Sequence, residues 1–400
     1  MINNTITSPK GFLASGISCG IKTSGKKDIA LLCCPAGAVA AGVFTTNKIV
    51  SAAVEAAKAH LKSRIIEAVI VNSGNANTCT GKKGLEDASK MCQAVADFID
   101  CRPEQVLVAS TGIIGRKLPM DKILPGISAA AQELSNDPVG GFDFASAIMT
   151  TDTVEKQAVK RFKLGNKTVT ISGTVKGAGM IAPNMATTIC VLTTDANISK
   201  PMLKKALKES IGNSLNKLTV DGHQSTNDTA FLLSSCMAGN TPIKSAGRDY
   251  EKFSRGLFEI CYDLAEQMAL DAEGATRVFK VLITGAANQA QAQKAARAVA
   301  DYDLVKCAIH GGDPNWGRII CAVGSCGVKI NPEKLTCKLD NITVFRNGAP
   351  CKFDTKKASA VISKPFHTIT VGLGVGKAED FCLGCDLSKE YVTINADYHT

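Results

Sequence analysis

Pro183-Asn184-Met185-Ala186-Thr187-Thr188-Ile189-Cys190 stands near the middle of the 400-residue chain, between the glycine-rich run Val175-Lys176-Gly177-Ala178-Gly179 and the apolar Val191-Leu192. The β-branched and aliphatic run 189–194 predicts a strand, so two threonines open it directly after a loop whose only charge is Lys176. The chain divides most naturally here, with a first half ending near Met185 and a second beginning with the strand that Thr187 opens. No Pro-rich or Ser-rich linker marks the division, which predicts two halves sharing one core rather than two tethered domains.

Outward from this point, similar runs bounded by turn residues recur at 65–71, 106–109, 168–171, 278–284, 319–323 and 368–371, each predicting a strand. The most apolar stretch, 29–44, is too short to span a bilayer comfortably and is interrupted by Pro35, Gly37 and Gly42, so it reads as strand, turn and strand. Leu85, Ala88, Cys92, Val95 and Ile99 recur at spacings of three or four, as do Phe253, Leu257, Ile260, Leu264 and Met268, and both sets predict amphipathic helices. The Ala- and Gln-rich 286–300 predicts a third. Strand and helix patterns mixed in this way predict an α/β fold, layered and two-lobed, with large mixed sheets and packed helices.

Composition sets outer limits. Hydrophobic residues make up 45% and charged residues 20% of the chain, a balance that excludes a wholly disordered chain. The formal net charge of +10 comes from Lys and Arg scattered among acids rather than gathered in blocks, which argues against nucleic acid and leaves small anionic metabolites compatible. Sixteen cysteines are spread along the length without a secretory signal before them, so they read as reduced, mostly buried thiols, pointing to a cytoplasm.

Familiar catalytic signatures fit poorly. Gly372-Leu373-Gly374-Val375-Gly376-Lys377 meets neither the dinucleotide fingerprint nor the Walker spacing, and reads as a tight turn. Gly16-Ile17-Ser18-Cys19-Gly20 matches a nucleophile elbow literally but is followed by no helix start. Five histidines leave a Ser-His-Asp triad open on composition, while Asp221-Gly222-His223 has no second ligand at helical spacing and Cys382-Leu383-Gly384-Cys385 lacks a second pair, so no metal is expected. What remains are polar loops that end apolar runs: 72–77, 110–115 and 150–153. Sites are commonly built on such loops, and Gly112 after Thr111 would let backbone N–H groups approach a substrate closely, as an oxyanion hole requires.

A threonine hydroxyl is a weak nucleophile unless a base lies beside it, and an N-terminal threonine supplies that base as its own α-amine. With a reference pKa of about 7.7–8.0, against about 10.4 for lysine, the α-amine is partly neutral near pH 7. Thr187 is internal, so it reaches an N-terminus only if the Ala186–Thr187 bond breaks. That break can be self-catalysed: the Thr187 hydroxyl attacks the Ala186 carbonyl, an N-to-O acyl shift gives an ester, and water releases two chains. The residues by themselves leave this reading open beside a plain buried strand.

The stretches 72–81, 110–120, 149–153, 176–187, 219–229, 271–277, 311–318 and 391–400 together resemble the ornithine acetyltransferases of the cyclic arginine pathway, also known as glutamate N-acetyltransferases. The resemblance runs from the Pro9-Lys10-Gly11-Phe12 region to Thr400. It implies a self-cleaving N-terminal-nucleophile enzyme, cut between Ala186 and Thr187 into an α chain of residues 1–186 and a β chain of residues 187–400. It implies an α2β2 assembly that moves acetyl from N2-acetyl-L-ornithine to L-glutamate through an acetyl-Thr187 intermediate. It implies no cofactor, although some members take acetyl-CoA as a co-substrate.

Carried over by motif, Thr187 is the nucleophile, and Thr111 with Gly112 stabilises the oxyanion. Thr150, Lys176, Glu273, Asn395 and Thr400 hold substrate together with Thr187. Thr188 departs from the family pattern, which often has no hydroxyl at that position. The nearest rival within the same architecture is an aminopeptidase or amidase; a rival from another class is a non-catalytic binding protein.

Overall fold

The structure, a computed structural model, describes residues 4–182 and 188–397. Ala186, Thr187 and Thr400 therefore lie outside the described residues. Eight strands, β1 (Leu13–Ile17), β2 (Ile29–Phe44), β3 (Ile66–Asn75), β4 (Val106–Ile113), β5 (Lys156–Leu164), β6 (Lys167–Lys176), β7 (Ile189–Thr194) and β8 (Thr229–Ser234), form one sheet. Its order is β4-β3-β2-β8-β7-β6-β5, with β1 paired to β2. The β3/β4 and β7/β8 pairs are parallel and the others antiparallel. Strands from both sides of residue 187 thus share this sheet, β7 and β8 lying between β2 and β6.

Side chains alternate across a strand, and both faces of this sheet are covered, which explains its near-continuous apolar runs. In β2, Ile29, Leu31 and Cys33 face helices α1 (Ala52–His60), α2 (Gly81–Ile99) and α3 (Met120–Gln132). Ala30, Leu32 and Cys34 join the opposite core with Phe144 and Ala147 of α4 (Pro138–Ile148). Helices α5 (Lys200–Asn213) and α6 (Arg248–Leu270) pack on the Cys190 and Leu192 face of β7.

The strand, turn and strand expected over 29–44 is one long strand with a break in register between Cys33 and Ala38. Pro35 lacks a donor and Gly37 sits at φ +75°, so the chain jogs there without reversing. The first half of β2 pairs with β1 and β3, and the second half pairs with β8.

A second, six-stranded sheet holds β9 (Val278–Ala286), β10 (Thr336–Leu339), β11 (Ile342–Arg346), β12 (Ala349–Pro350), β13 (Phe366–Gly372) and β14 (Ala378–Cys385), in the order β12-β11-β10-β13-β9-β14. Helix α7 (Gln289–Asp301) lies on it through Ala292, Ala295, Ala296 and Val299, followed by α8 (Asp303–His310), α9 (Trp316–Ser325), α10 (Thr355–Ile362) and α11 (Lys389–Asp397). The third expected helix is α7, its N-terminus set back to Gln289 because β9 runs on to Ala286 and Asn288 caps the helix. The expected strand at 319–323 is instead part of α9. Ile319, Ala322 and Val323 are its buried face, a three-and-four spacing that a five-residue apolar run does not distinguish from a strand. Asn315 caps that helix by accepting from the Arg318 N–H.

All sixteen cysteines are free, Cys382 and Cys385 being buried in β14. Among the described residues, no three His, Cys, Asp or Glu side chains gather as metal ligands, and no helix is long and apolar enough to cross a membrane.

Candidate active site

The site forms where strand register returns the chain to itself. Lys176 ends β6 opposite Ile189, which opens β7, and Ile189 in turn pairs with Thr229 at the start of β8. The chain thus leaves the sheet after Lys176 and re-enters it at Ile189 at neighbouring positions. Thr188 is buried there, its carbonyl accepting from the Thr229 N–H at 2.7 Å.

Lys176 donates to Thr150 Oγ1 at 3.3 Å. Both are fixed from beneath by Asp152, whose Oδ1 accepts from the Gly177 N–H at 2.6 Å and whose Oδ2 accepts from the Thr150 N–H at 2.9 Å. Asp152 is paired in turn with Lys156 at 2.6 Å, and Lys156 with Asp271 at 2.5 Å, all three side chains being almost wholly buried. Burial alone would raise the Asp152 pKa, but the Lys156 and Lys176 cations outweigh it and hold the carboxyl below its ordinary range. For Lys176 burial dominates and lowers the ammonium pKa, opposed by the carboxylates of Asp152, Asp228 and Glu273.

The stretches 72–77 and 110–115, expected as loops, are largely strand. Ladder pairing joins Asn72 to Ser110, Ser73 to Thr111 and Gly74 to Gly112 before the register shifts. Gly112 has φ +128°, and a Cβ there would lie 2.3 Å from the Gly74 carbonyl carbon, so only glycine permits the approach. The polar side chains are spent on internal bonds: Ser110 Oγ donates to Asn72 Oδ1 at 2.6 Å, and Asn227 Nδ2 donates to the Ser110 and Ala76 carbonyls at 2.7 and 2.6 Å. Asn227 therefore clamps the Thr111 end of β4 to the segment before β8. Buried amides so satisfied hold a site rigid.

On the opposite wall, the Glu273 N–H donates to the Ala178 carbonyl at 2.9 Å, and Asn395 on α11 donates from Nδ2 to Glu273 Oε2 at 2.8 Å. A Cβ on Gly179 would fall 2.3 Å from that same oxygen, which is why a glycine stands there. Asp221, weighed in the sequence as a weak metal ligand, accepts instead from the Met180 and Ile181 N–H groups at 2.7 and 3.0 Å and from the Tyr391 hydroxyl at 3.2 Å. It ties the glycine-rich segment to the C-terminal helix.

Thr111, Gly112, Thr150, Lys176, Glu273 and Asn395 all line one cavity, so every described residue among those anticipated comes to a single place. Thr187, Ala186 and Thr400 lie outside the described residues. Thr188, set apart in the sequence by its departure from the family pattern, lines the same cavity, as do Asn227 and Asp228, which were not singled out. Asn227 and Asp228 sit inside the 219–229 motif, but nothing in a Thr-Asn-Asp-Thr string distinguishes a clamp from a turn.

Comparison with known proteins places the chain in a family. The sequence model of the ArgJ family matches residues 13–400. A relative from Symbiobacterium thermophilum named arginine biosynthesis bifunctional protein ArgJ is 44% identical over 397 residues, covering 99% of this chain and 98% of its own. The protein of that name from Bacillus licheniformis is 41% identical over 399 residues, covering 100% of this chain and 97% of its own. A crystal structure of arginine biosynthesis bifunctional protein ArgJ from Bacillus halodurans superposes with a TM-score of 0.50 at 39% identity, covering 52% of this chain and 97% of that one.

Proposed function

The chain belongs to the ArgJ family of arginine-biosynthesis enzymes, and from that premise we propose that it transfers acetyl from N2-acetyl-L-ornithine to L-glutamate. The products are L-ornithine and N-acetyl-L-glutamate. The chain first cuts itself between Ala186 and Thr187, leaving residues 1–186 and 187–400 as α and β chains and exposing Thr187 as an N-terminal nucleophile. The observation that carries this reading is the single cavity that gathers Thr111, Gly112, Thr150, Lys176, Glu273 and Asn395 beside Thr188. Thr187 is the covalent neighbour of Thr188 in the sequence.

In the first half-reaction the neutral Thr187 α-amine takes the proton of its own hydroxyl as Oγ attacks the acetyl carbon. The oxyanion forms against Thr111 and Gly112, and the amine returns the proton to the departing nitrogen. Glutamate then attacks the acetyl-Thr187 ester. Both substrates carry an α-carboxylate for Lys176, with Asn395 and Thr400 also in reach of substrate by motif, while Glu273 pairs with the ornithine side-chain ammonium. Water must be kept out between the two steps, and the buried bracing beneath Lys176 and Thr150 suits that need.

The word bifunctional in the relatives' name supports a second donor, which we assign to acetyl-CoA as a co-substrate; no bound cofactor enters the scheme. An α2β2 heterotetramer in the cytoplasm is the setting we propose.

Incubation with acetylornithine, with and without glutamate, tests the reaction: N-acetylglutamate appearing only with both substrates is expected, and free acetate alone would point to a hydrolase. Glu273→Gln removes a charge-assisted contact worth about 1.5–3 kcal/mol, so kcat/KM for acetylornithine falls about 10- to 100-fold in a steady-state assay. Thr188→Ala leaves the cut in place, seen as two bands on a denaturing gel; an uncut Thr188→Ala chain would move the nucleophile assignment to Thr188.

A further inference from the structure

Asp228 is the one cavity-lining carboxyl that the scheme leaves without a task. The residue lines the cavity, is 2% exposed, and its buried Oδ2 has no hydrogen-bond partner. A buried polar atom without a partner costs free energy and calls for an explanation. Its placement is fixed by backbone: Asp228 precedes Thr229, the register partner of Ile189, and its carbonyl accepts from the Thr45 N–H at 2.9 Å. It therefore sits beside Thr188, one residue from the proposed nucleophile.

The surroundings set its chemistry. Ser225, on the same segment, donates to the carboxyl, and Lys176 on β6 is the cation that acts on it; Thr45 and Thr188, from the ends of β2 and β7, bring no charge. Glu273 faces Lys176 from the far wall, and Asp152 lies behind Lys176. Burial is the largest influence and pushes the Asp228 carboxyl well above the ordinary range, despite Ser225 and Lys176. A carboxyl so raised holds a proton more firmly than an ordinary one, the direction that suits a group taking a proton from an amine.

Resting on the acetyl-transfer reading above, we infer that Asp228 is the proton acceptor for the incoming amine and the proton donor to the departing one. Glutamate arrives with its α-amine as ammonium, and an ammonium has no lone pair for attack. Asp228 Oδ2 takes one N–H proton, and the freed lone pair forms the new C–N bond to the acetyl carbon. The C–Oγ bond to Thr187 then breaks, and the second N–H proton passes through the Thr187 α-amine to Oγ. In the other half-reaction ornithine leaves as a neutral amine and takes the stored proton from Asp228. Over one full cycle no proton is gained or lost, so no outside acid or base is needed.

The test uses processed Asp228→Asn enzyme with acetylornithine as donor and two acceptors, glutamate and hydroxylamine; the latter is already neutral at pH 7. General-base assistance contributes about 10²–10⁴-fold, so N-acetylglutamate formation at pH 7 falls at least about 100-fold, and the deficit shrinks as pH rises and free glutamate amine accumulates. With the acetyl-enzyme formed beforehand, so that only the second half-reaction is read, acetohydroxamate release falls far less than N-acetylglutamate release, because hydroxylamine brings no ammonium proton to remove. Equal loss with both acceptors, or a deficit constant across pH, overturns the role. Should the variant give no processed protein, the wild-type enzyme carries the test: its rate with glutamate falls below a single protonation step that its rate with hydroxylamine lacks, and identical profiles overturn the proposal. A wild-type enzyme that makes no N-acetylglutamate at all would instead sink the underlying reading.

Discussion

Thr187→Ala leaves the chain as one uncut polypeptide of 41.9 kDa with no measurable acetyl transfer. Both losses have one cause. The hydroxyl that attacks the Ala186 carbonyl in self-cleavage is the hydroxyl that later attacks the acetyl group, and without the cut there is no α-amine beside it to take its proton. Removing an activated nucleophile leaves only binding and oxyanion stabilisation, and here the variant would also keep a peptide bond where the α-amine belongs. Folding is preserved, because the register that brings Lys176, Ile189 and Thr229 together is a backbone ladder. A soluble, uncut, inactive protein with a wild-type circular dichroism spectrum is the expected result. A cut and active Thr187→Ala protein would contradict the assignment.

Lys156→Met has the second-largest expected effect, and it acts on the scaffold. The substitution strands Asp152 and Asp271, two buried carboxylates that now share one ammonium. Breaking a buried pair from one side costs about 3–5 kcal/mol, because the remaining charge is left uncompensated. Thermal or denaturant unfolding should show a loss of that size. Activity should fall as well, since Asp152 also holds the Gly177 and Thr150 N–H groups.

The pH dependence has a definite sign. The Asp152 pKa is depressed in the folded protein, so its contribution to stability is present above the ordinary carboxylate value and is lost as pH falls through the lower folded value. The wild type should therefore lose stability on the acid side more steeply than a Lys156→Met, Asp152→Asn double variant. Unchanged stability in Lys156→Met would show that the buried triad does not brace the site.

Local pattern read much of this fold correctly because its signals are local. The alternation of Ile29, Leu31 and Cys33 against Ala30, Leu32 and Cys34 belongs to a strand buried on both faces, and the spacing from Phe253 to Met268 belongs to α6. Where pattern failed, two solutions shared one signal: the run 319–323 is as apolar as a strand, and the cap at Asn315 that makes it a helix depends on one side-chain geometry.

The site divides the same way. Gly112 was legible as a position where glycine is needed, but its reason, the approach of Gly74 on a neighbouring strand, is tertiary. Asp152 and Lys156 stand four apart in sequence, yet Asp271, which completes their network, is 115 residues from Lys156. Asp228 carries no sequence signal at all, since what sets it apart is a buried oxygen without a partner. Thr111, Gly112, Thr150, Lys176, Glu273 and Asn395 were anticipated together because eight motifs spread over the chain carried the resemblance, and they line one cavity.

Everything in the proposed mechanism depends on Thr187 becoming a chain terminus. Intact mass spectrometry with N-terminal sequencing of the purified protein tests this most directly. Two fragments are expected, one beginning Thr187-Thr188-Ile189-Cys190 and the other ending at Ala186. A single chain of 41.9 kDa that nonetheless makes N-acetylglutamate, or a fragment beginning at any other residue, would contradict it.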